Sequence, residues 1–262
     1  VVAYAGATEH RSEVVPLETG FLPNGLPMLD VSTANAAALY GGFTINCTGT
    51  AGSTGMDTAS DSYAFVFDRD GDHVWAYELT GTPVAGCSRA RMSYDGKHLR
   101  IGNFSNVSPD GALLRVAMDG VGDERIYSLP GRHHDFTVLP NNHVLFQEQA
   151  NGGGYDGGSM FGGEGPDLIK ELDPETGVAT LIYDEMTDFS APIEEANGAH
   201  TNYVTYVPHL NAISISLRHS STIGLLSYPT GQLIAVFGGS LSDLPISWDA
   251  QHGHQFLEGD RL

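Results

Sequence analysis

Between residues 200 and 239, apolar and polar residues alternate in short runs separated by turn signals. TNYVTYV (201–207) alternates, Pro208, His209 and Asn211 interrupt it, and AISISL (212–217) alternates again. TIGLLSYPTGQLIAVF (222–237) then supplies two more runs around Pro229-Thr230-Gly231. A period of two predicts strands, and the Pro/Gly/Asn clusters predict the turns between them. The stretch therefore reads as one four-stranded antiparallel unit.

The same logic recurs upstream. SYAFVFDRDGDHVWAYEL (62–79) is two runs around an Asp-Gly turn, a strong hairpin signal. Residues 88–130 carry turn signals at Asp95-Gly96, Asp110-Gly111 and Asp119-Gly120. Residues 133–184 run HDFTVLPNNHVLFQEQ, then a glycine-rich insertion (151–165), then PDLIKELDPETGVATLIYD. Repeating units of roughly 40–45 residues, each a small antiparallel sheet, predict an all-β chain folded as a β-propeller of four-stranded blades. Four units are countable, with fragments at both ends, so a five- or six-bladed ring, more naturally six, is expected for a chain truncated at one or both ends. Residues 1–25 hold one strand-like run, VVAYAG, and a linker that is either the tail of another β domain or a ring-closing strand; residues 26–262 form the propeller, its last blade incomplete. Residues 185–199 read as an acidic loop with a brief helix.

Composition narrows the partners. A formal net charge of −20 over 262 residues excludes nucleic acid and anionic membrane surfaces as natural partners. No apolar run approaches the ~18 residues needed to span a bilayer. Cys47 and Cys87 lie about one blade apart, and either a disulfide between neighbouring blades or two buried thiols fits that spacing. A disulfide would imply an oxidising, secreted or periplasmic setting. Asp68, Asp70 and Asp72 alternate as calcium ligands do, but no distal Glu follows at the needed spacing, so a hairpin turn is the expectation. The glycine-rich insertion lacks the Gly-Lys-Ser/Thr ending of a phosphate loop.

The histidines carry more information. His133 and His134 precede Asp135, His200 opens His-Thr-Asn, and His252 sits in Gln-His-Gly-His. Each lies at the loop-to-strand junction of a successive unit, and a propeller brings such junctions to one axial funnel. Imidazole serves as nucleophile, general acid or metal ligand. Arg218, one strand pair after His200, offers a planar fork for a tetrahedral oxyanion. A guanidinium disfavours a nearby cation, so neither metal nor cofactor is expected.

HHDFTVLPNNHVLF, the His-Thr-Asn at 200–202, SISLRHSSTIGLLSYPTGQLIAVFGG and WDAQHGHQFLEGDRL together resemble the arylsulfate sulfotransferases, six-bladed propellers that use no nucleotide sulfate donor. The resemblance covers most of residues 61–262. It implies sulfuryl transfer from an aryl sulfate to a phenol through a sulfohistidine. On the matching positions His252 is the nucleophile, Asn202 and Arg218 hold sulfuryl oxygens, and His200 and His134 neutralise charge and shuttle a proton. His254 and His133 stand beside two of these residues and compete for their roles. The alternative is a non-catalytic extracellular propeller acting as a binding or surface-assembly module, with homo-oligomers left open.

Overall fold

The computed structural model describes residues 2–5, 8–11, 42–48, 62–103, 111–122, 124–149, 167–188, 200–240 and 248–257, with isolated positions between. A hairpin of β1 (Val2–Ala5) and β2 (Thr8–Arg11) comes first. β2 is an addition to the sequence reading: TEHR is polar throughout and gives no alternation to find.

Four antiparallel sheets follow, each with its strands in chain order. The first contains β3 (Thr44–Thr48), β4 (Tyr63–Phe67) and β5 (His73–Glu78). The second contains β6 (Arg89–Met92), β7 (His98–Asn103), β8 (Ala112–Ala117) and β9 (Arg125–Ser128). The third contains β10 (Arg132–Val138), β11 (Val144–Gln149), β12 (Asp167–Leu172) and β13 (Ala179–Asp184). The fourth contains β14 (Thr201–Val207), β15 (Ala212–Leu217), β16 (Thr222–Ser227) and β17 (Leu233–Gly238). One helical turn, α1 (Glu185–Asp188), follows β13 where the brief helix was expected. The protein is a β-propeller of antiparallel blades.

Strand β10 lies beside β14 on one flank and β6 on the other, and β6 lies beside β3. First strands therefore meet at the centre, while the last strands form the rim with exposed Val74, Ile126, Leu181 and Ile234. Apolar layers fill the space between successive sheets. Leu79, Leu99, Ile101 and Leu114 join the first two, Leu113, Phe136, Val138 and Phe146 the next two, and Leu145, Ile169, Val204 and Ile215 the last two. Each such side chain contributes about 1.5–3 kcal/mol on burial. The Cys47–Cys87 disulfide, with Cα atoms 6.1 Å apart, ties β3 to the segment entering β6.

The Asp68 segment is a hairpin turn: its Oδ1 accepts the Asp70 and Asp72 amides at 2.9 and 3.0 Å. The turns at Asp95-Gly96 and Asp119-Gly120 also join strands as expected. Asp110 of the Asp110-Gly111 turn and the glycine-rich insertion lie outside the described residues.

Strand β15 departs from a half-exposed pattern, being buried at all six positions. Its polar face, Ser214 and Ser216, is covered by residues 248–257. Gln251 Nε2 donates to Ser216 Oγ (3.0 Å), Leu217 O (3.2 Å) and Thr222 O (2.9 Å). Trp248 Nε1 donates to Ser221 O at 2.6 Å. Gly238, at φ +72°, leaves room for that indole: a Cβ there would lie 2.7 Å from both the ring and Ser221 O.

Candidate active site

Two histidines occupy matching, unusual backbone positions. His134 (φ 58°) and His200 (φ 50°) are both left-handed, and each begins a register shift, between His133 and Phe136 in β10 and between Thr201 and Tyr203 in β14. Left-handed geometry costs a β-carbon residue about 1–2 kcal/mol, and such strain is typical of places where a side chain must be re-aimed. Ala250 repeats the conformation (φ 47°) two residues before His252. The entries to β10 and β14 and the segment bearing His252 thus share one backbone conformation.

The rings gather there. His134 meets His200 edge-on with centroids 4.7 Å apart, and His200 stacks on His219 at 4.9 Å. The Arg218 amide donates to His200 O at 3.0 Å, which fixes the arginine backbone beside the fourth blade's histidine. Burial pulls the His134 pKa down to about 2, and the charges of His133, His200, His252 and Arg218 push the same way. His134, His200 and His219 thus form one cluster of rings, and His134 is neutral in it.

Behind His134 runs a hydrogen-bonded chain. His134 Nδ1 contacts His133 Nδ1 at 2.7 Å, and His133 Nε2 contacts Asp167 Oδ1 at 2.8 Å. Asp167 Oδ2 accepts the Thr201 amide at 2.7 Å. Glu185 accepts the Asp167 amide at 3.2 Å through Oε2, and the Thr201 hydroxyl bonds its Oε1. Burial, then the neighbouring Asp167 charge, raises the Glu185 pKa well above its ordinary value.

The doubled histidines separate cleanly in their surroundings. His252 is exposed, and its Nδ1 donates to Ala250 O at 2.9 Å, leaving Nε2 as the unprotonated nitrogen of the neutral ring. His254 instead bonds Ser214 Oγ at 2.5 Å, packs against Tyr203 and Phe256, and has its pKa lowered to about 4 by burial. His254 is a docking residue. Asn202 is 4% exposed, and its Nδ2 donates to Gln251 O at 2.6 Å. That bond clamps the segment bearing His252 to β14.

Several residues of the site escape a reading of the sequence. Asp167 and Glu185 open and follow distant strands, with no spacing to link them. His219 follows Arg218 directly, and nothing but adjacency marks it. Arg89 and Arg91 of β6 reach across to the fully buried Asp135 of β10, both at 3.0 Å. Burial raises the Asp135 pKa and the two guanidinium groups oppose it. The alternation of two arginines on an inner strand, opposite the acidic residue of His-His-Asp, was the available signal.

The arylsulfotransferase (ASST) family profile matches residues 29–242. The chain belongs to the arylsulfotransferase family. The matched region contains His134, His200, Asn202 and Arg218 and ends before His252. No curated protein matches the chain. Among solved structures it is similar to TolB from Acinetobacter baumannii (15% identity, 66% of this chain and 36% of that one, TM-score 0.46). It is also similar to hydrazine synthase of Kuenenia stuttgartiensis (12% identity, 68% and 59%, TM-score 0.46). A gluconolactonase from Xanthomonas campestris is at a comparable distance (14% identity, 68% and 55%, TM-score 0.42). The chain spans less than two thirds of the length of each. Among the described residues no helix is long and apolar enough to cross a membrane.

Proposed function

We propose that this arylsulfotransferase moves a sulfuryl group from an aryl sulfate to a phenol through a sulfohistidine at His252. What supports the reading is the packing of His134 on His200, the Arg218 amide bonded to His200 O, and the Asn202–Gln251 bond that holds the His252 segment against β14, with His252 Nδ1 donating to Ala250 O. In the first half-reaction Nε2 attacks sulfur, an N–S bond forms, and the S–O bond to the aryl group breaks. In the second the acceptor oxygen attacks sulfur and the N–S bond breaks. Arg218 holds the sulfuryl oxygens with a bidentate fork, and charge develops on those oxygens between fixed donors. His200 and His134 serve the proton that one aryl oxygen gains and the other loses. Asn202, its amide committed to Gln251, acts on the position of His252. The reading extends to a secreted or periplasmic setting, which the Cys47–Cys87 bridge suits.

Incubation with 4-nitrophenyl sulfate and phenol, beside a His252→Ala variant, tests this. Nitrophenol release that depends on phenol and is lost in the variant is expected. No release from folded protein at any pH would favour a non-catalytic binding propeller instead.

A further inference from the structure

His134 presents a difficulty: a group with a pKa near 2 is a poor resting place for a proton at neutral pH. We propose that His133 and Asp167 form a relay behind His134, so that a proton taken up at His134 Nε2 comes to rest on His133. The inference rests on the sulfuryl-transfer reading above.

The geometry sets the direction of every bond. Asp167 Oδ2 accepts the Thr201 amide and Oδ1 faces His133 Nε2. The Asp167 carboxylate only accepts, so His133 Nε2 carries a hydrogen. In neutral His133 the Nδ1 is then an acceptor, and the 2.7 Å contact requires His134 Nδ1 to donate to it. His134 Nε2 is consequently the acceptor nitrogen, on the ring that meets His200. In the acceptor half-reaction the phenol O–H bond breaks and an Nε2–H bond forms on His134. The His134 Nδ1–H proton moves to His133 Nδ1, leaving His133 an imidazolium against the Asp167 carboxylate. His134 stays neutral throughout, beside the positive charges of Arg218 and of His200 and His252 when protonated. In the donor half-reaction the aryl oxygen leaves as its oxyanion and takes its proton from water. Between turnovers His133 gives its stored proton to water, so the free protein returns to neutral His133 and the cycle closes without a net proton. His133 and Asp167 touch no substrate and are positioning residues.

Glu185 packs behind Asp167, accepting its amide at 3.2 Å, and burial together with the Asp167 charge favours the protonated form of Glu185. Asp167→Asn removes one acceptor. If its oxygen keeps the Thr201 amide, its NH2 faces His133 Nε2, and both imidazoles flip to the opposite tautomer, placing a hydrogen on His134 Nε2.

Nitrogen-15 NMR of histidine-labelled protein at neutral pH reads this directly. The relay requires hydrogen on His133 Nε2 and His134 Nδ1. Hydrogen on His133 Nδ1 in the resting protein overturns the proposal without any variant. In Asp167→Asn both tautomers should invert. Rapid mixing with 4-nitrophenyl sulfate, whose leaving phenolate needs no proton at neutral pH, should show a burst within about twofold of the parent. Transfer onward to phenol should fall at least about tenfold, the low end for a lost general base being larger still, and should recover with more acidic phenols. Equal losses in both half-reactions, or unchanged transfer to phenol, would overturn the relay. Absence of any burst from the parent protein would instead defeat the sulfuryl-transfer reading, and the tautomers would still decide the hydrogen-bond chain.

Discussion

The third blade contains two histidine–carboxylate pairs of nearly equal length at its opposite ends. His133 contacts Asp167 at 2.8 Å at the funnel end, and His143 contacts Glu171 at 2.7 Å at the other. At the far end the carboxylate is the hub of a closed network. Glu171 accepts two bonds from the Tyr228 hydroxyl of the fourth blade, at 3.1 and 3.2 Å, and His143 Nε2 lies 3.7 Å from Asp173. Burial, then the Glu171 charge, pushes the Tyr228 pKa up to about 12, so that hydroxyl remains a donor. At the funnel end the histidine passes its hydrogen bond on to a second histidine, which sits among other ionisable rings. Distance does not distinguish the pairs. What separates them is whether the chain ends in the fold or in a group able to exchange a proton.

Substitution at matched positions breaks this comparison most sharply. His134→Ala should lower transfer to phenol by roughly 10²–10⁴-fold, measured under single-turnover conditions. His143→Ala should leave transfer within about twofold and instead lower stability by about 1–2 kcal/mol in urea unfolding. Comparable activity losses from both would erase the distinction.

Reduction of Cys47–Cys87 comes next in size. With a sequence separation of 40, loop-closure entropy sets the loss at about 4 kcal/mol. The bridge joins the first two blades, so transfer by the folded fraction should be unchanged while the unfolding midpoint falls.

His254 provides a smaller, pH-dependent effect. Its folded pKa of about 4 lies below the ordinary value of about 6.5. Between those values the unfolded chain binds more protons, so the stability from neutral His254 is complete above pH ~6.5 and is lost as pH falls towards ~4. His254→Gln should flatten the stability profile in that window relative to the parent. An unchanged slope would contradict the buried position of the ring. Smallest of all, Glu171→Gln should cost about 1 kcal/mol, through the His143 and Tyr228 bonds, without altering the pH dependence of transfer.

The comparison also explains what the sequence makes legible. The blades follow from period-two runs and Asp-Gly turns, because strand faces and turn backbones are local properties. The junction positions of His134, His200 and His252 are legible from equivalence between repeats, since a ring topology turns equal offsets into shared space, whereas Arg218 stands out only by its guanidinium chemistry. Choosing His252 over His254 needed the packed Ser214 face of β15, where an alternating pattern suggested exposure and a later segment supplied the cover. Asp167 and Glu185 were illegible for a different reason. Their roles depend on a pairing across β12, α1 and β14, and no residue near either announces it. The left-handed backbone at His134 and His200 was equally hidden, because a glycine would have signalled it and histidine does not.

The central claim is that the His252 imidazole takes the sulfuryl group. The most direct measurement mixes the protein with excess 4-nitrophenyl sulfate, without acceptor, quenches in alkali and maps peptides by mass. The expected result is one added SO3 on the peptide containing His252, discharged when phenol is supplied before the quench. Sulfuryl found on another histidine, or nitrophenol released with no modified peptide, would contradict the account.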